Sequence, residues 1–163
     1  MIFSSYEFIF VFIPVSLFGF FFLARISHIF AIGWLVLSSL FYYGWWDIRY
    51  VPLIVGSMLF NYVLGTFLGR NEIFNSQQKK CALIAGIIIN LSLLIFFKYT
   101  NFLIENIDEL FSSNIGFVYI TLPLAISFFT FQQIAYLVDA YQGKTREYSL
   151  LHYSLFVTFF PQL

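Results

Sequence analysis

The polar residues with the most informative spacing lie in a long uncharged stretch of the second half of the chain. Four of them fall within an arc of roughly 120° if they share one helix: Gln132, Gln133, Tyr136 and Asp139. Amide, phenol and carboxylate groups on one helix face either hydrogen-bond to neighbouring helices or line a polar passage for a substrate. The sequence leaves both interpretations open, and these four residues are the candidate passage-lining residues.

Outside this group, the sequence contains none of the usual patterns of catalytic or metal-binding residues. It has no glycine-rich phosphate loop and no paired carboxylates within one apolar segment. Cys81 is the single cysteine, which excludes an intrachain disulfide and a cysteine-only metal site. His28 and His152 supply no spaced ligand cluster, and both are interpreted as structural. We therefore expect no catalytic residue, no metal site and no bound cofactor in this sequence.

The composition indicates that the elements carrying the four polar residues lie in a membrane. Hydrophobic residues make up 61% of the chain and charged residues 10%, whereas soluble domains contain about 25% charged residues. A soluble domain of this size has no way to bury so much apolar surface. The net charge is zero, which gives no electrostatic basis for binding nucleic acid.

Charged residues divide the chain into apolar segments of helical length. Five segments and the start of a sixth follow in order: Phe8–Ala24, Ile26–Trp46, Val51–Leu68, Cys81–Phe97, Ile115–Val138 and a run from Ser149. This pattern predicts an all-α, polytopic bundle of transmembrane helices. Asn61 and Asn90 lie inside two of the segments and are interpreted as interhelical hydrogen-bonding residues. Gly65 and Gly69 favour a close approach between two helices.

The fifth segment, which carries the four polar residues, does not read as one uniform helix. Pro123 suits the first turn of a helix and Thr121 can cap that turn, so the sequence predicts a helix from Pro123 to Val138. A helix of that length rises only about 24 Å, which is less than the hydrocarbon core. The preceding IGFVYITL must therefore cross the rest as a broken helix or lie within protein at membrane depth.

A shorter element lies between the fourth and fifth segments. Phe102–Phe111 has an apolar face and an acidic, polar face when drawn as a helix. Ten residues are too few to span a bilayer. We therefore expect a separate amphipathic helix that lies along the membrane surface.

The ends and loops of the chain predict its extent and orientation. The chain stops inside an apolar segment and no linker divides it, so we expect residues 1–163 to be the N-terminal part of one incomplete domain. If the five segments cross in alternation, six basic residues share one side: Arg25, Arg70, Lys79, Lys80, Lys144 and Arg146. Arg49 and Lys98 share the other side. This bias predicts a cytoplasmic location for the first group and an external N-terminus.

Several short strings occur in an order and spacing that match a known family. They are MIFSS (Met1–Ser5), FYYGWW (Phe41–Trp46), Asn61-Tyr62 with Gly65, FKYTNF (Phe97–Phe102), and LPLAISFFTFQ (Leu122–Gln132) continuing to YLVD (Tyr136–Asp139). Together they resemble the N-terminal part of the alginate O-acetyltransferase branch of the membrane-bound O-acyltransferase family. The closing FPQL is similar to the family's entry into a following Ala-Gly-Pro motif. The resemblance covers nearly the whole chain.

The resemblance implies a polytopic enzyme of the bacterial cytoplasmic membrane that moves an acyl group, usually acetyl, onto a cell-envelope or secreted polysaccharide. The implied donor is acetyl-CoA or another acyl thioester, and the implied partners are membrane lipid and a polysaccharide acceptor or relay protein. Family members use an intramembrane histidine in their second half as general base. That histidine would lie beyond Leu163, and neither His28 nor His152 lies in a matching motif. The sequence by itself is therefore expected to be inactive.

Two other function classes remain open at this stage. A transporter or channel subunit also uses broken helices with polar faces to move a substrate. A structural subunit of a membrane assembly would use the same polar residues only for interhelical hydrogen bonds.

Overall fold

The computed structural model describes residues 6–69, 75–111, 121–144 and 149–159. Within these ranges the chain is helical throughout, which confirms the all-α prediction. The opening string Met1–Ser5, the closing string 160–163, the basic residues Arg70 and Arg146, and residues 115–120 of the fifth segment lie outside the described residues.

Six α-helices follow one another along the described chain. They are α1 (Ile13–Ala24), α2 (His28–Trp46), α3 (Val51–Gly69), α4 (Ser76–Phe111), α5 (Ile126–Tyr141) and α6 (Leu150–Thr158). A π-helical turn, Phe8–Phe12, leads into α1, and a 3-10 turn, Ile48–Tyr50, leads into α3. Short polar residues cap the starts of α2 and of the 3-10 turn. The Ser27 hydroxyl accepts from Ile29 N–H at 3.3 Å, and the Asp47 carboxylate accepts from Arg49 N–H at 3.0 Å.

Three stretches of the described chain are long and apolar enough to cross a membrane: His28–Trp45, Ile48–Gly69 and Ser76–Phe102. Phe8–Ala24 forms a shorter apolar helix. Apolar side chains on these helices point outward in large numbers, as expected where the surrounding medium is hydrocarbon. The chain is thus a membrane protein, and the total of five crossings stays a prediction.

Helix α4 differs from its sequence-based prediction. It is one helix of 36 residues from Ser76 to Phe111, so the predicted separate surface helix at Phe102–Phe111 is wrong. The uncharged part between Lys80 and Lys98 rises about 27 Å, which matches a hydrocarbon core of about 30 Å. The part after Lys98 continues the same axis for about another 20 Å. The helix continues because no Gly or Pro interrupts this part of the sequence.

Helix α5 begins three residues later than predicted. Ala125 has a left-handed backbone, with φ of 52°, and therefore lies outside the helix, which begins at Ile126. Pro123 belongs to the preceding turn, where its carbonyl accepts from Ile126 N–H at 3.4 Å. The hydroxyl of Tyr50 donates to the Thr121 carbonyl. This bond connects the start of α5 with the turn before α3.

Helix α5 packs against both α3 and α4, and α2 packs against α1 and α6. The main core lies among α3, α5 and their neighbours, where Ile54, Leu68, Ile126 and Leu137 are almost fully buried. Buried serine and threonine hydroxyls of α2 and α6 donate to carbonyls of their own helices: Ser39 to Leu35, Ser154 to Leu150 and Thr158 to Ser154. These hydroxyls are therefore satisfied inside the bundle without partners from other helices.

Two glycines allow α5 to approach its neighbours closely. A Cβ at Gly65 of α3 would lie 2.2 Å from the Tyr136 ring of α5. A Cβ at Gly86 of α4 would lie 2.5 Å from Leu64 and 2.9 Å from Leu137. The predicted close approach at Gly65 is confirmed, and its partner is the ring of Tyr136.

Replacing Gly65 by Ala should destabilise the bundle by about 1–3 kcal/mol, because the added methyl overpacks the contact with Tyr136. The matched control is Gly56→Ala on the same helix, where the new Cβ meets nothing within 4 Å. There the change should be neutral or stabilising by up to about 1 kcal/mol through helix propensity. Thermal unfolding in mild detergent measures both variants. Equal stability of the two would show that α3 and α5 are not in close contact at Gly65.

Candidate functional site

Three buried amides and a half-buried hydroxyl form a hydrogen-bonded cluster, here called the amide cluster: Ser57, Asn61, Asn90 and Gln133. Asn61 and Asn90 exchange reciprocal hydrogen bonds, Asn61 Nδ2 donating to Asn90 Oδ1 at 3.0 Å and Asn90 Nδ2 to Asn61 Oδ1 at 2.7 Å. Asn61 Nδ2 also lies 2.8 Å from Gln133 Oε1, and Gln133 Nε2 donates to Ser57 Oγ at 3.1 Å. The cluster therefore connects α3, α4 and α5.

The amides of this cluster are buried, and their hydrogen-bond partners among the described residues all come from α3, α4 and α5. Asn61 and Gln133 are 0% exposed, and Asn90 is 2% exposed. The backbone supplies further acceptors, since Asn61 donates to the Ser57 carbonyl at 2.8 Å and Asn90 to the Gly86 carbonyl at 2.8 Å. The interhelical role predicted for Asn61 and Asn90 is confirmed by the two bonds between their side chains. Ser57 was not singled out from the sequence, because a lone serine in an apolar helix gives no distinguishing signal.

A cavity of about 10 Å³ lies beside the amide cluster, and its lining includes Ser57, Asn90, Thr130 and Gln133. A space of that size is close to the least that holds one water molecule. The cluster therefore has room for a water molecule but not for a substrate.

A second polar group lies one helical turn further along α5 and is here called the tyrosine cluster: Tyr62 of α3, Tyr136 of α5 and Tyr153 of α6. The ring centroids of Tyr136 and Tyr153 are 4.2 Å apart, and those of Tyr62 and Tyr153 are 5.8 Å apart. Tyr153 is 3% exposed, and its hydroxyl has no hydrogen-bond partner among the described residues. The sequence signal for this cluster was weak, since its members come from three separate helices.

The four sequence-predicted site residues divide between these surroundings. Gln133 belongs to the amide cluster and Tyr136 to the tyrosine cluster. Gln132 is 9% exposed and lies on the line of α5 that also carries Tyr136, while Asp139 is exposed near the end of the helix. The structure thus places them on one helix but not in one pocket. Their role as lining of a passage stays a prediction.

The two histidines lie together at one end of the bundle. Their rings stack with centroids 6.2 Å apart, His28 from the start of α2 and His152 from the start of α6. Among the described residues no group of three or more His, Cys, Asp or Glu side chains is arranged to hold a metal ion. The pair packs two helix ends together.

Comparison with known proteins matches the whole of this chain to part of several O-acetyltransferases and probable O-acetylases. The chain is 42% identical to the peptidoglycan O-acetyltransferase of Helicobacter pylori, over the whole chain and 36% of that protein. Over its whole length the chain is therefore similar to part of an O-acetyltransferase. It is also 34% identical to the probable alginate O-acetylase AlgI of Pseudomonas aeruginosa and 32% identical to that of Azotobacter vinelandii, covering 32% and 33% of those proteins. The resemblance to the alginate O-acetyltransferase branch is thereby confirmed.

The chain spans about a third of the length of the O-acetyltransferases it matches. No family model matches the chain, and no solved structure matches it. The names of these relatives give no support to the transporter or structural-subunit alternatives. They concern acetyl transfer to peptidoglycan or alginate.

Replacing Asn90 by Leu should destabilise the bundle, because Asn61 loses a hydrogen-bond donor and an acceptor while its own side chain stays buried. Each interhelical hydrogen bond of this kind is worth roughly 0.6–2 kcal/mol in a membrane. The matched control is Ser92→Leu, an exposed position on the same helix, which should leave stability unchanged. Unfolding in detergent, with Asn61→Leu and the double variant completing a thermodynamic cycle, measures the coupling. Additive effects would mean that the two amides do not interact.

Proposed function

We propose that the protein carrying this chain is an O-acyltransferase that transfers acetyl groups to a cell-envelope or secreted polysaccharide. The observation that carries the proposal is the full-length match of this chain to a peptidoglycan O-acetyltransferase at 42% identity and to probable alginate O-acetylases at 31–34% identity. Among the described residues no set of acid, base and nucleophile is assembled. The proposal therefore assigns the chemical step to residues outside this chain, with acetyl-CoA or another acyl thioester as donor.

In this proposal, the chain supplies part of the path between donor and acceptor. Gln132, Tyr136 and Asp139 follow one line of α5, because their spacing of four and three residues returns to the same side of a helix. The exposed carboxylate of Asp139 marks one end of the line, and the buried Gln132 lies deeper in the bundle. The Tyr153 hydroxyl, buried without a partner among the described residues, lies beside this line through its contact with Tyr136. The carbonyl oxygen of the acyl donor, or a water molecule, would accept the missing hydrogen bond from the Tyr153 hydroxyl.

Gln133 takes a different part in this proposal. Its amide is held by Asn61 and Ser57, so its first role is to fix the rotation of α5 about its own axis. With Gln133 held by Asn61 and Ser57 of α3, Tyr136 packs on Gly65 further along α3, and Gln132 lies one turn before Tyr136 on α5. Gln133 positions the passage, and Gln132 and Tyr136 line it.

We further propose that the protein lies in the cytoplasmic membrane with its N-terminus outside and with a polysaccharide or relay protein as its external partner. Helices α4 and α5 run antiparallel. Gly86 lies beside Leu137, and Asn90, four residues later on α4, is linked through Asn61 to Gln133, four residues earlier on α5. The start of α4 and the end of α5 therefore lie at one end of the bundle, where the described basic residues include Lys79, Lys80 and Lys144. Arg49 and Lys98 lie at the opposite end. This distribution supports a cytoplasmic location for the more basic end.

Orientation can be measured by cysteine labelling of intact cells with a membrane-impermeant reagent. Single cysteines at Gln77 and Gln142, both exposed and both at the more basic end, should label only after the membrane is opened. A cysteine at Asn106, in the part of α4 that follows Lys98, should label from outside. The native Cys81 is replaced by Ser in all variants. External labelling at Gln77 together with protection at Asn106 would reverse the orientation.

The function and the two glutamine roles can be tested in one assay of the intact protein. Deleting its gene should remove O-acetyl groups from an envelope or secreted polysaccharide, and the intact gene should restore them. Gln132→Leu should lower acetyl transfer per folded molecule at least about tenfold, equivalent to ~1.4 kcal/mol at the transition state. Gln133→Leu, the adjacent control, should mainly lower the amount of folded protein, because it leaves buried amides unsatisfied.

The outcomes separate the two parts of the proposal. An unchanged acetyl content after deletion would contradict the assigned activity. Normal transfer per folded molecule in Gln132→Leu, with activity otherwise established, would remove α5 from the passage while leaving the activity in place.

A further inference from the structure

An apolar groove lies on the outside of the bundle, away from both polar clusters. It has a volume of about 880 Å³ and is bounded by α1, α2 and the beginning of α3. Its lining includes Val15, Trp34, Leu37, Phe41 and Trp45, and the polar surface is small. Several of these side chains are open to the surroundings, with Leu37 64%, Phe41 57% and Trp45 58% exposed. The groove is therefore an open apolar depression on the outside of the described bundle, and not a sealed internal void.

The groove extends through about half of the membrane. Along α2 it is lined from Trp34 to Trp45, a rise of about 16 Å against a hydrocarbon core of about 30 Å. At its deep end the Trp34 indole N–H donates to the Ser16 carbonyl at 3.1 Å, so this hydrogen is satisfied within the protein. At its other end it reaches Trp45 and Ile48, at a depth where Trp is enriched at the membrane–water boundary. A transmembrane helix would be too long for this groove, because it spans the whole hydrocarbon core. The acyl chains of a lipid in one leaflet span only half of the core, so they match the length of the groove.

A cationic residue directly follows the groove residue Ile48 along the chain. This residue is Arg49, and its side chain is 87% exposed. Its Nε lies 3.3 Å from Asp47 Oδ1, and Asp47 also accepts from the Arg49 backbone N–H. This pairing uses one edge of the guanidinium and leaves its two terminal amino groups available. Paired amino groups of this kind bind a phosphate in a bidentate manner.

From these observations we propose that a membrane phospholipid binds in this groove, with its acyl chains along α1 and α2 and its phosphate on Arg49. The apolar lining, the depth of one leaflet and the cation at the boundary match the three parts of such a molecule. The site is separate from the proposed passage along α5, so it supports an anchoring role for α1 and α2 that does not depend on acetyl transfer.

Native mass spectrometry of the intact protein, extracted in mild detergent and then stripped of lipid, tests the proposal. We expect one phospholipid per protein to survive delipidation. Leu37→Trp fills the groove and Arg49→Gln removes the cation, and each should reduce retained phospholipid at least tenfold. Val63→Trp, which adds the same bulk at a 65% exposed position of α3, should retain it. Size-exclusion profiles confirm that all variants are folded.

A second readout uses the protein reconstituted with phospholipids brominated near the chain ends or near the headgroup. Trp34 fluorescence should be quenched by the former and Trp45 fluorescence by the latter, with Trp46 and the other groove tryptophan replaced by Phe in each case. Absence of retained phospholipid, or retention that Leu37→Trp and Arg49→Gln leave unchanged, would overturn the proposal. A dimer in the mass spectrum that Leu37→Trp converts to monomer would also overturn it, because a second copy would then occupy the groove.

Discussion

A side-chain amide in the hydrocarbon of a bilayer has no water to bind, and the rest of this bundle depends on how that constraint is met. Asn61, Asn90 and Gln133 come from three helices and satisfy one another, with Ser57 completing the set. Because hydrogen bonds are directional, this arrangement fixes how far each helix is shifted along its axis and how it is rotated. Apolar contact alone, in a medium that is itself apolar, would leave both free to vary.

The same arrangement determines which contacts form elsewhere on α5. Gln133 held against α3 and α4 brings Tyr136 onto Gly65 and Leu137 onto Gly86. Those glycines let the helix backbones approach closely, and close backbones in turn keep the amides within hydrogen-bond distance. Polar and steric terms therefore reinforce each other. A change in the amide bonds or in the glycine contacts also alters the tyrosine cluster, because Tyr136 contacts both Gly65 and Tyr153.

Hydropathy and charge predicted the all-α architecture and most helix bounds, because apolar segments of this length permit little else in a membrane. The interhelical role of Asn61 and Asn90 was also predictable, since a buried amide needs a partner. The start of α5 was not, because it depends on the left-handed backbone of Ala125, and alanine gives no warning of that conformation. The length of α4 was not predicted either. The amphipathic pattern of Phe102–Phe111 predicts a helix but not the direction of its axis. The tyrosine cluster and the groove depend on how separate helices pack, and no local pattern encodes that.

The order of the amide contacts along the chain also bears on how the protein is made. Asn61 and Asn90 lie 29 residues apart on consecutive helices, and their reciprocal bonds leave neither amide dependent on a later segment. Gln133 follows Asn61 by 72 residues and bonds to a pair that is complete without it. During synthesis, the hairpin of α3 and α4 can therefore leave the insertion machinery for lipid with its amides already satisfied. The emerging α5 then meets a preformed pair of amides, and its Gln133 completes the amide cluster.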